Sequence, residues 1–310
     1  MQGTRARVLE RIVAGPIGGP ELADRLGISR AAVWKHVEAL RDAGFDITST
    51  DKGYELRDIP EFGGPAVEFG LDAPYEIEFH DTIGSTNARA REFADDGASN
   101  VVVLADEQTG GRGRLDRSWS SPSGGVWLSI LVRPDLPPTQ APAFTLAAAV
   151  ATTRAVREAG VDATIKWPND VLVGERKLAG ILTEMEGEAD RVSWLVVGIG
   201  INANVDACEV PTDRPVTTLR EEGGDVNRRE LTQTLLDEFH ELTADLDAVM
   251  GAWREFSSTL GRRVRVETPT EEVVGQAIDV RFPGTLVVDT PDGQREVTAG
   301  DCEHLRPVDP

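Results

Sequence analysis

The spacing of apolar residues changes along this 310-residue chain, and those changes constrain its fold more than any other feature. Residues 4–43 carry helical spacing, residues 75–256 mix strand-length apolar runs with helical segments, and the residues after Gly261 show only short strand patterns. The chain is long enough for two or three domains with a sizeable core. We therefore predict an α+β protein whose central sheet is mixed, largely antiparallel and backed by helices.

The pattern over residues 1–60 predicts a winged helix-turn-helix domain. Helical spacing over residues 4–14 ends at a stretch rich in proline and glycine, and a short helix is predicted over residues 21–26. A longer helix is predicted over residues 29–43, where the first residue is a serine suited to capping. Residues 45–56 then alternate as the two strands of a hairpin do. This order of helix, turn, helix and hairpin is typical of DNA-binding domains.

The third predicted helix offers a face for DNA. Residues 1–58 hold nine basic and nine acidic side chains, whereas the rest of the chain holds 23 basic and 44 acidic ones, so the net charge of −21 lies outside this segment. A neutral module on an acidic protein suits a part that meets a polyanion. The alternative is that the tryptophan of this helix belongs to the core and that its other side chains are solvated surface. The candidate DNA contacts are Arg30, Trp34, Lys35 and His36.

The composition sets outer limits on the function. Only four of the 32 basic residues are lysines, and an acidic, lysine-poor surface resembles that of proteins from salt-loving organisms, where salt screens the self-repulsion. The apolar runs are too short to span a membrane, and no secretory signal is visible, so we expect a cytoplasmic protein. Cys208 and Cys302 have no neighbours of metal-ligand type, and idle thiols are expected rather than a disulfide or a metal site.

Three segments follow the first domain. Residues 61–74 are rich in proline and glycine and are predicted to be a linker. Residues 259–310 combine short strands with tight turns, which predicts a small β-barrel. Residues 75–258 form the predicted central domain, with strands over residues 75–80, 101–107, 126–132, 163–166, 178–184 and 193–202 and helices over residues 85–94, 142–159 and 228–256.

A glycine-rich loop with arginines follows one of the central strands. Three of the four residues 110–113 are glycines, which leave the backbone almost free of conformational preference. Arg112, Arg114 and Arg117 make a basic island on an acidic protein, and arginine presents a planar fork to carboxylates and phosphates. Such a loop can close over an anionic ligand and exclude water. The alternative is a flexible, solvated loop.

A lysine is predicted to be held firmly at a strand end. Trp167 precedes a proline and is pushed into an extended conformation, Pro168 fixes its own torsion, and Asn169 or Asp170 can form an Asx turn. A fixed ammonium at Lys166 suits the bridging of a carboxylate and an α-phosphate as charge develops between them. The alternative is a structural ion pair between Lys166 and Asp170 or another carboxylate.

The end of a later strand carries two glycines and an asparagine. Gly198 and Gly200 allow close approach of backbone or ligand, although a bulge or tight packing is the usual reason for such a pair. The Asn202 amide can read the edge of adenine by donating and accepting together. No third glycine opens a helix afterwards, so this is not a Rossmann fingerprint.

Taken together, these motifs resemble those of the biotin protein ligases, the biotin–acetyl-CoA-carboxylase ligases. The resemblance covers about residues 75–310, and the N-terminal domain is similar to that of bifunctional members that also repress biotin operons. It implies a class II synthetase-like central domain and an SH3-like C-terminal barrel. At Leu115 and Asp116 the sequence differs from the best-known bifunctional member, which has a basic residue and a glycine at these positions. The difference concerns how the loop closes over the intermediate, not the chemistry. The motifs that match in order lie at residues 85–87, 107–109, 111–114, 118–119, 166–170, 177–182 and 198–202.

The resemblance implies a role for each motif residue. Lys166 and Arg114 would be catalytic, contacting the biotin carboxylate and the phosphate. The residues implied for biotin are Ser85, Thr86, Asn87, Gln108, Gly111, Arg112 and Lys166. Those implied for ATP and the adenylate are Arg114, Trp119, Asn169 and Asn202.

The implied activity is a two-step ligation. Biotin and ATP would give biotinyl-5′-AMP, with Mg²⁺ shielding the phosphates through ligands that the sequence does not assign. Biotin would then pass to a lysine of a biotin carboxyl carrier domain. The resemblance also implies operator DNA and a homodimer as partners, although the sequence names neither the operator nor the dimer surface. Two alternatives stay open: a lipoate or octanoate ligase, a family that lacks the Gly-Arg-Gly-Arg loop, and a transcription factor that only senses biotin or its adenylate.

Overall fold

The computed structural model describes residues 3–210 and 214–305, so the ends of the predicted first and last domains, residues 1–2 and 306–310, lie outside the described residues. The N-terminal part is a three-helix unit followed by a hairpin. Its elements are α1 (Gly3–Val13), α2 (Gly19–Leu26), α3 (Arg30–Asp42), β1 (Asp46–Thr50) and β2 (Gly53–Asp58).

Local signals explain how this unit forms. Gly27 takes a left-handed conformation (φ 66°) that ends α2, and the Ser29 side chain accepts a hydrogen bond from the Ala32 amide to start α3. One face of α3 is buried in the N-terminal core. Trp34 lies on the other face and is 58% exposed, which excludes the alternative that it is a core residue.

A sheet of seven described strands forms the central domain. Only the β3–β4 pair is parallel, so the sheet is largely antiparallel, as predicted. The strands, in the spatial order β3-β4-β5-β9-β8-β7-β6, are β3 (Glu76–Ile83), β4 (Val101–Gln108), β5 (Val126–Val132), β6 (Thr164–Lys166), β7 (Asp170–Val173), β8 (Arg176–Gly187) and β9 (Val192–Ile201).

Helices back this sheet. The alanine-rich α6 is almost wholly buried, because its small side chains let the neighbouring helices approach it closely. The central helices are α4 (Gly64–Glu68), α5 (Thr86–Asp95), α6 (Pro142–Glu158), α7 (Leu219–Gly223), α8 (Arg228–Ala244) and α9 (Leu246–Phe256). No helix of the described residues is long and apolar enough to cross a membrane.

The C-terminal domain is a five-stranded antiparallel sheet among the described residues. Val264 and Val266 belong to the same apolar core as the central sheet, so the two domains pack without a solvent layer. Both cysteines are free, Cys208 exposed and Cys302 buried. The strands, in the order β13-β12-β11-β10-β14, are β10 (Arg263–Glu267), β11 (Glu272–Arg281), β12 (Thr285–Thr290), β13 (Gly293–Val297) and β14 (Asp301–His304).

Three sequence predictions need correction. The single helix over residues 228–256 is two helices, because Asp245 leaves helical torsions and its side chain accepts a hydrogen bond from the Asp247 amide to begin α9. The linker over residues 61–74 contains α4, which buries Ala66 and Val67 against α8. The short strands β7 and β14 were not predicted, since four residues show too little alternation.

Candidate active site

A cavity of about 1380 Å³ opens beside the central sheet, under the glycine-arginine loop. The start of α5, the end of β4, the loop over residues 110–120 and strands β8 and β9 all contribute to its wall. Gly111, Lys166 and Asn202 do not line it. The structure brings most of the sequence-predicted site residues to this cavity: Ser85, Thr86, Asn87, Gln108, Arg112, Arg114, Trp119 and Asn169.

One end of the cavity holds a cluster of uncharged polar side chains, with the Arg91–Glu184 ion pair beside it. The Thr86 amide and hydroxyl both donate to Gln108 Oε1, at 2.8 and 3.0 Å, and Gln108 Nε2 donates to the Ser121 hydroxyl at 3.0 Å. The fully buried Ser129 hydroxyl lies 2.8 Å from Thr86 Oγ1. Sequence reasoning missed Ser129, although a lone serine inside the apolar strand β5 was a signal. This end can exchange hydrogen bonds with a neutral polar ring.

Asn87 lines the cavity, and its amide is hydrogen-bonded into the wall. Its Nδ2 donates to Glu184 Oε2 at 2.7 Å, and its Oδ1 accepts from Ser129. A methyl group on Gly198 would lie 2.1 Å from Asn87 Oδ1. Gly198 is therefore a glycine because the Asn87 amide passes directly over its backbone.

The glycine-arginine loop is folded back on itself. The Trp119 amide donates to the Gly111 carbonyl at 2.9 Å, and the Gly113 amide donates to the Arg117 carbonyl at 2.8 Å. A methyl group on Gly111 would lie 2.4 Å from the Trp119 carbonyl oxygen. Gly111 thus shapes the loop, and Leu115 adopts a left-handed conformation (φ 56°) at its exposed tip.

The other end of the cavity is basic and touches the C-terminal domain. Arg114 Nη1 donates to Asn169 Oδ1 at 2.9 Å, and its Nη2 donates to the Gly300 carbonyl at 2.8 Å. Burial lowers the pKa of the Arg114 guanidinium, and Asp301 and Asp170 oppose that change. These contacts hold a positive charge in a partly dry position, which suits a phosphate or carboxylate ligand.

Trp119 packs closely against two strand glycines. Gly180 and Gly200 are register partners across β8 and β9, and methyl groups there would lie 3.2 and 2.7 Å from the indole ring. The Lys177 ammonium sits 4.8 Å from the centre of the ring. Among the described residues, the buried indole N–H has no hydrogen-bond partner. A floor of this kind accepts a flat aromatic group.

The two lysines of the site occupy different places. Lys177 lines the large cavity and pairs with Asp170 at 2.6 Å. Lys166 lines an adjoining cavity of about 400 Å³, and within the described ranges it forms no ion pair. The alternative of a Lys166–Asp170 ion pair is therefore wrong. Residues shared by both cavities, among them Arg117, join the two spaces.

Asn202 is buried beside this region. Its Nδ2 donates to the Thr217 carbonyl at 3.1 Å, and its backbone amide donates to the Leu178 carbonyl at 3.0 Å. Within the part of the chain that is described, Asn202 Oδ1 has no donor. The side chain is fully buried and lines neither cavity, so the contact of Asn202 with adenine stays a prediction.

Known proteins share this architecture. The Biotin/lipoate A/B protein ligase family matches residues 81–202, an HTH domain family matches residues 6–55, and the Biotin protein ligase C terminal domain matches residues 259–305. The chain is 36% identical over 303 residues to the bifunctional ligase/repressor BirA of Bacillus subtilis (strain 168), covering 93% of each chain. The chain belongs to the biotin protein ligases.

Other biotin protein ligases agree with this assignment. BirA of Escherichia coli (strain K12) is 30% identical over 283 residues, covering 87% of each chain. The solved structure of the biotin protein ligase of Aquifex aeolicus in complex with biotin and ATP superposes with a TM-score of 0.65 at 27% identity, covering 74% of this chain and 99% of that one. The resemblance predicted from the motifs, and the fold predicted with it, are confirmed.

Proposed function

We propose that the chain joins biotin to a carrier protein in two steps, using the cavity of about 1380 Å³ and the adjoining one of about 400 Å³. The observation that carries this proposal is the pairing of an uncharged polar end at Thr86 and Gln108 with a basic end at Arg114 in one space. Biotin has a neutral ureido ring at one end and a carboxylate at the other, so it matches this polarity. Membership of the biotin protein ligases supports the same activity.

In the first step, a biotin carboxylate oxygen bonds to the α-phosphorus of ATP, the bond to the bridging oxygen breaks, and pyrophosphate leaves. In the second, a lysine amine of a biotin carboxyl carrier domain attacks the acyl carbon and loses a proton as AMP leaves. Positioning and charge stabilisation supply most of the catalysis, without a covalent enzyme intermediate.

The biotin end is assigned to the polar cluster. Ser85, Thr86 and Gln108 exchange hydrogen bonds with the ureido ring, while Asn87 holds the wall behind them. Gly111 keeps the loop folded so that Arg112 can close over the ring and the carboxyl end. Lys166 meets the carboxylate and the phosphate from the adjoining cavity.

The adenylate end is assigned to the basic side. Arg114, held by Asn169, binds the phosphate and the acyl carbonyl. The adenine ring takes a place against Trp119, while the buried Asn202, which lines neither cavity, holds the strand end beside it. Mg²⁺ is assigned to the phosphates of ATP and enters as the complex with it.

Gly198→Ala is expected to weaken biotin binding at least about 10-fold. The new methyl group displaces the Asn87 amide, which lies 2.1 Å from its position, and disturbs the polar cluster behind the ureido ring. Isothermal titration with biotin measures the effect. Gly251→Ala, in an open position on α9, is the matched control and should slightly raise stability without changing biotin affinity. Unchanged biotin affinity in Gly198→Ala would show that the position of the Asn87 amide does not matter for biotin binding.

The ligase activity itself is tested on a carrier. Incubation of the chain with biotin, ATP and a biotin carboxyl carrier domain should add one biotinyl group to the carrier, detected as a mass increase. The same carrier with its acceptor lysine replaced by arginine should stay unmodified. If the folded chain adds biotin to neither protein, the proposed ligation is contradicted.

A second activity, biotin-dependent repression, is proposed for the N-terminal domain. The exposed Trp34 lies on the same helix as Arg30, Lys35 and His36. Burial lowers the pKa of His36, and the positive charges of Arg5 and Lys35 lower it as well. Basic charge gathered on a helix-turn-helix helix suits operator DNA, read by a homodimer with one helix in each half-site. ATP and a carboxylase partner support a cytoplasmic location.

The double variant Arg30→Ala/Lys35→Ala is expected to lower DNA affinity at least about 10-fold without changing ligase activity. Losing two phosphate contacts should also reduce the salt dependence of binding by about two units in the log–log slope. Fluorescence anisotropy, with a duplex selected by the wild-type protein from a random pool and with biotinyl-AMP present, measures both. Arg11→Ala on α1 is the control. If the wild-type protein selects no duplex, the proposed repressor role is contradicted.

A further inference from the structure

A buried hydrogen-bonded chain joins the C-terminal domain to the strand that carries Lys166. The Trp167 amide donates to the Thr259 hydroxyl at 2.9 Å, and that hydroxyl lies 3.0 Å from His304 Nε2. Thr259 is fully buried. The indole N–H of Trp167 donates to the Gly284 carbonyl at 2.9 Å. The residue directly after Lys166 is therefore held by two parts of the last domain, at Thr259 and Gly284, and His304 contacts Thr259 in turn.

The residue directly before Lys166 is held in the same way. The Ile165 carbonyl accepts from both the amide and the hydroxyl of Ser258, at 2.8 and 3.0 Å. The two peptide groups that flank Lys166 are thus hydrogen-bonded to two consecutive residues, Ser258 and Thr259. Two fixed peptide groups leave the Lys166 backbone little freedom, whereas its side chain has no ion pair among the described residues.

His304 completes the chain in its neutral form. Burial, helped by the nearby charges of Lys166 and Arg262 and opposed by Glu175, lowers the pKa of His304 to about 4. A neutral imidazole can accept the Thr259 hydroxyl proton at Nε2, which leaves the Thr259 oxygen free to accept from the Trp167 amide. It also places no positive charge against the Lys166 ammonium.

We propose that Thr259 and His304 are positioning residues for adenylate formation, because they fix the backbone on which Lys166 stands. This inference rests on the catalytic role proposed for Lys166. Neither residue lines the large cavity, so neither touches biotin or ATP there. A shift of about 1 Å in a charged group can cost about 100-fold in rate, so loss of the hydroxyl should act on turnover more than on substrate binding.

The test compares Thr259→Val, which removes the hydroxyl at nearly constant shape, with Thr259→Ser, which keeps it. We expect Thr259→Val to lower kcat for biotin-dependent ATP–pyrophosphate exchange by about 10- to 100-fold, with KM for biotin and ATP within about 3-fold of the wild type. Thr259→Ser should restore kcat to within about 3-fold. A wild-type kcat in Thr259→Val, or equal losses in both variants, overturns the proposal.

A double-mutant cycle separates positioning from general damage. Thr259→Val added to Lys166→Ala should cause no further loss, because the hydroxyl acts through the lysine. Full additivity of the two losses overturns the proposal. If Thr259→Val does not fold, His304→Leu takes its place and should lower kcat about 5- to 10-fold, and a wild-type kcat in that variant has the same meaning.

The proposed function can fail separately from this inference. No biotin-dependent exchange in the folded wild-type protein removes the ligase function. An active wild type with a fully active Lys166→Ala removes the role of that lysine, and the positioning role with it. If the wild type is active, Lys166→Ala is impaired and Thr259→Val is unaffected, only the positioning role is contradicted.

Discussion

Lys166→Ala is expected to slow biotinyl-AMP formation by about 100- to 1000-fold while leaving the fold intact. Lys166 forms no ion pair among the described residues, so its removal breaks no such pair in the folded protein. The same ammonium would offset the charge that develops between the biotin carboxylate and the α-phosphate. Single-turnover formation of biotinyl-AMP, followed by quenching and chromatography, measures the rate.

Two other lysines make the test specific. Lys52 lies exposed in the turn of the N-terminal hairpin, and Lys52→Ala should form the adenylate at the wild-type rate. Lys177 lines the large cavity in an ion pair with Asp170, and Lys177→Ala should lose less than Lys166→Ala. If Lys177→Ala proves the more damaging change, the catalytic lysine has been assigned to the wrong strand.

Arg114→Ala is expected to lower kcat/KM for ATP by about 100-fold. Arg114 forks between Asn169 and the Gly300 carbonyl, so it presents a fixed charge where the phosphate of the adenylate is proposed to lie. A flexible arginine would lose part of its binding free energy to the entropy cost of ordering its side chain. Pyrophosphate exchange over a range of ATP concentrations gives the constant.

The control for this prediction is an arginine of the C-terminal domain that faces solvent. Arg281→Ala removes an exposed ion pair with Glu296 on the outer face of the C-terminal sheet and should leave kcat/KM for ATP unchanged. Equal losses in the two variants would mean that Arg114 acts through overall charge or stability. A wild-type value in Arg114→Ala would show that another group binds the phosphate.

Local signals explain how much of the fold could be predicted. The Ser29 cap and the Gly27 turn act within a few residues, so the helix-turn-helix unit follows from the sequence. The break at Asp245 was missed because apolar spacing continues on both sides of it. The helix α4 was missed because its two buried residues are few, and their burial depends on α8, which lies far along the chain.

The site was predictable to the extent that its motifs are short. Thr86 and Gln108 were expected together, and the structure joins them by two hydrogen bonds. The roles of Asn87 and Gly198 in the wall depend on a contact between residues 111 positions apart, which no local pattern encodes. The same holds for Thr259, which contacts Trp167 of the central domain and is itself contacted by His304 at the end of its own domain.

Biotin-dependent ATP–pyrophosphate exchange by the purified wild-type protein tests the central claim most directly. It should be measured at low salt and in molar KCl, because the acidic, lysine-poor chain resembles proteins from salt-loving organisms. Lipoate should be tested in parallel, because the family that matches the central domain includes both biotin and lipoate ligases. Exchange with biotin and none with lipoate is the predicted result. Exchange with lipoate alone would assign the chain to the sister activity, and no exchange with either acid in folded protein would leave a sensor without ligase chemistry.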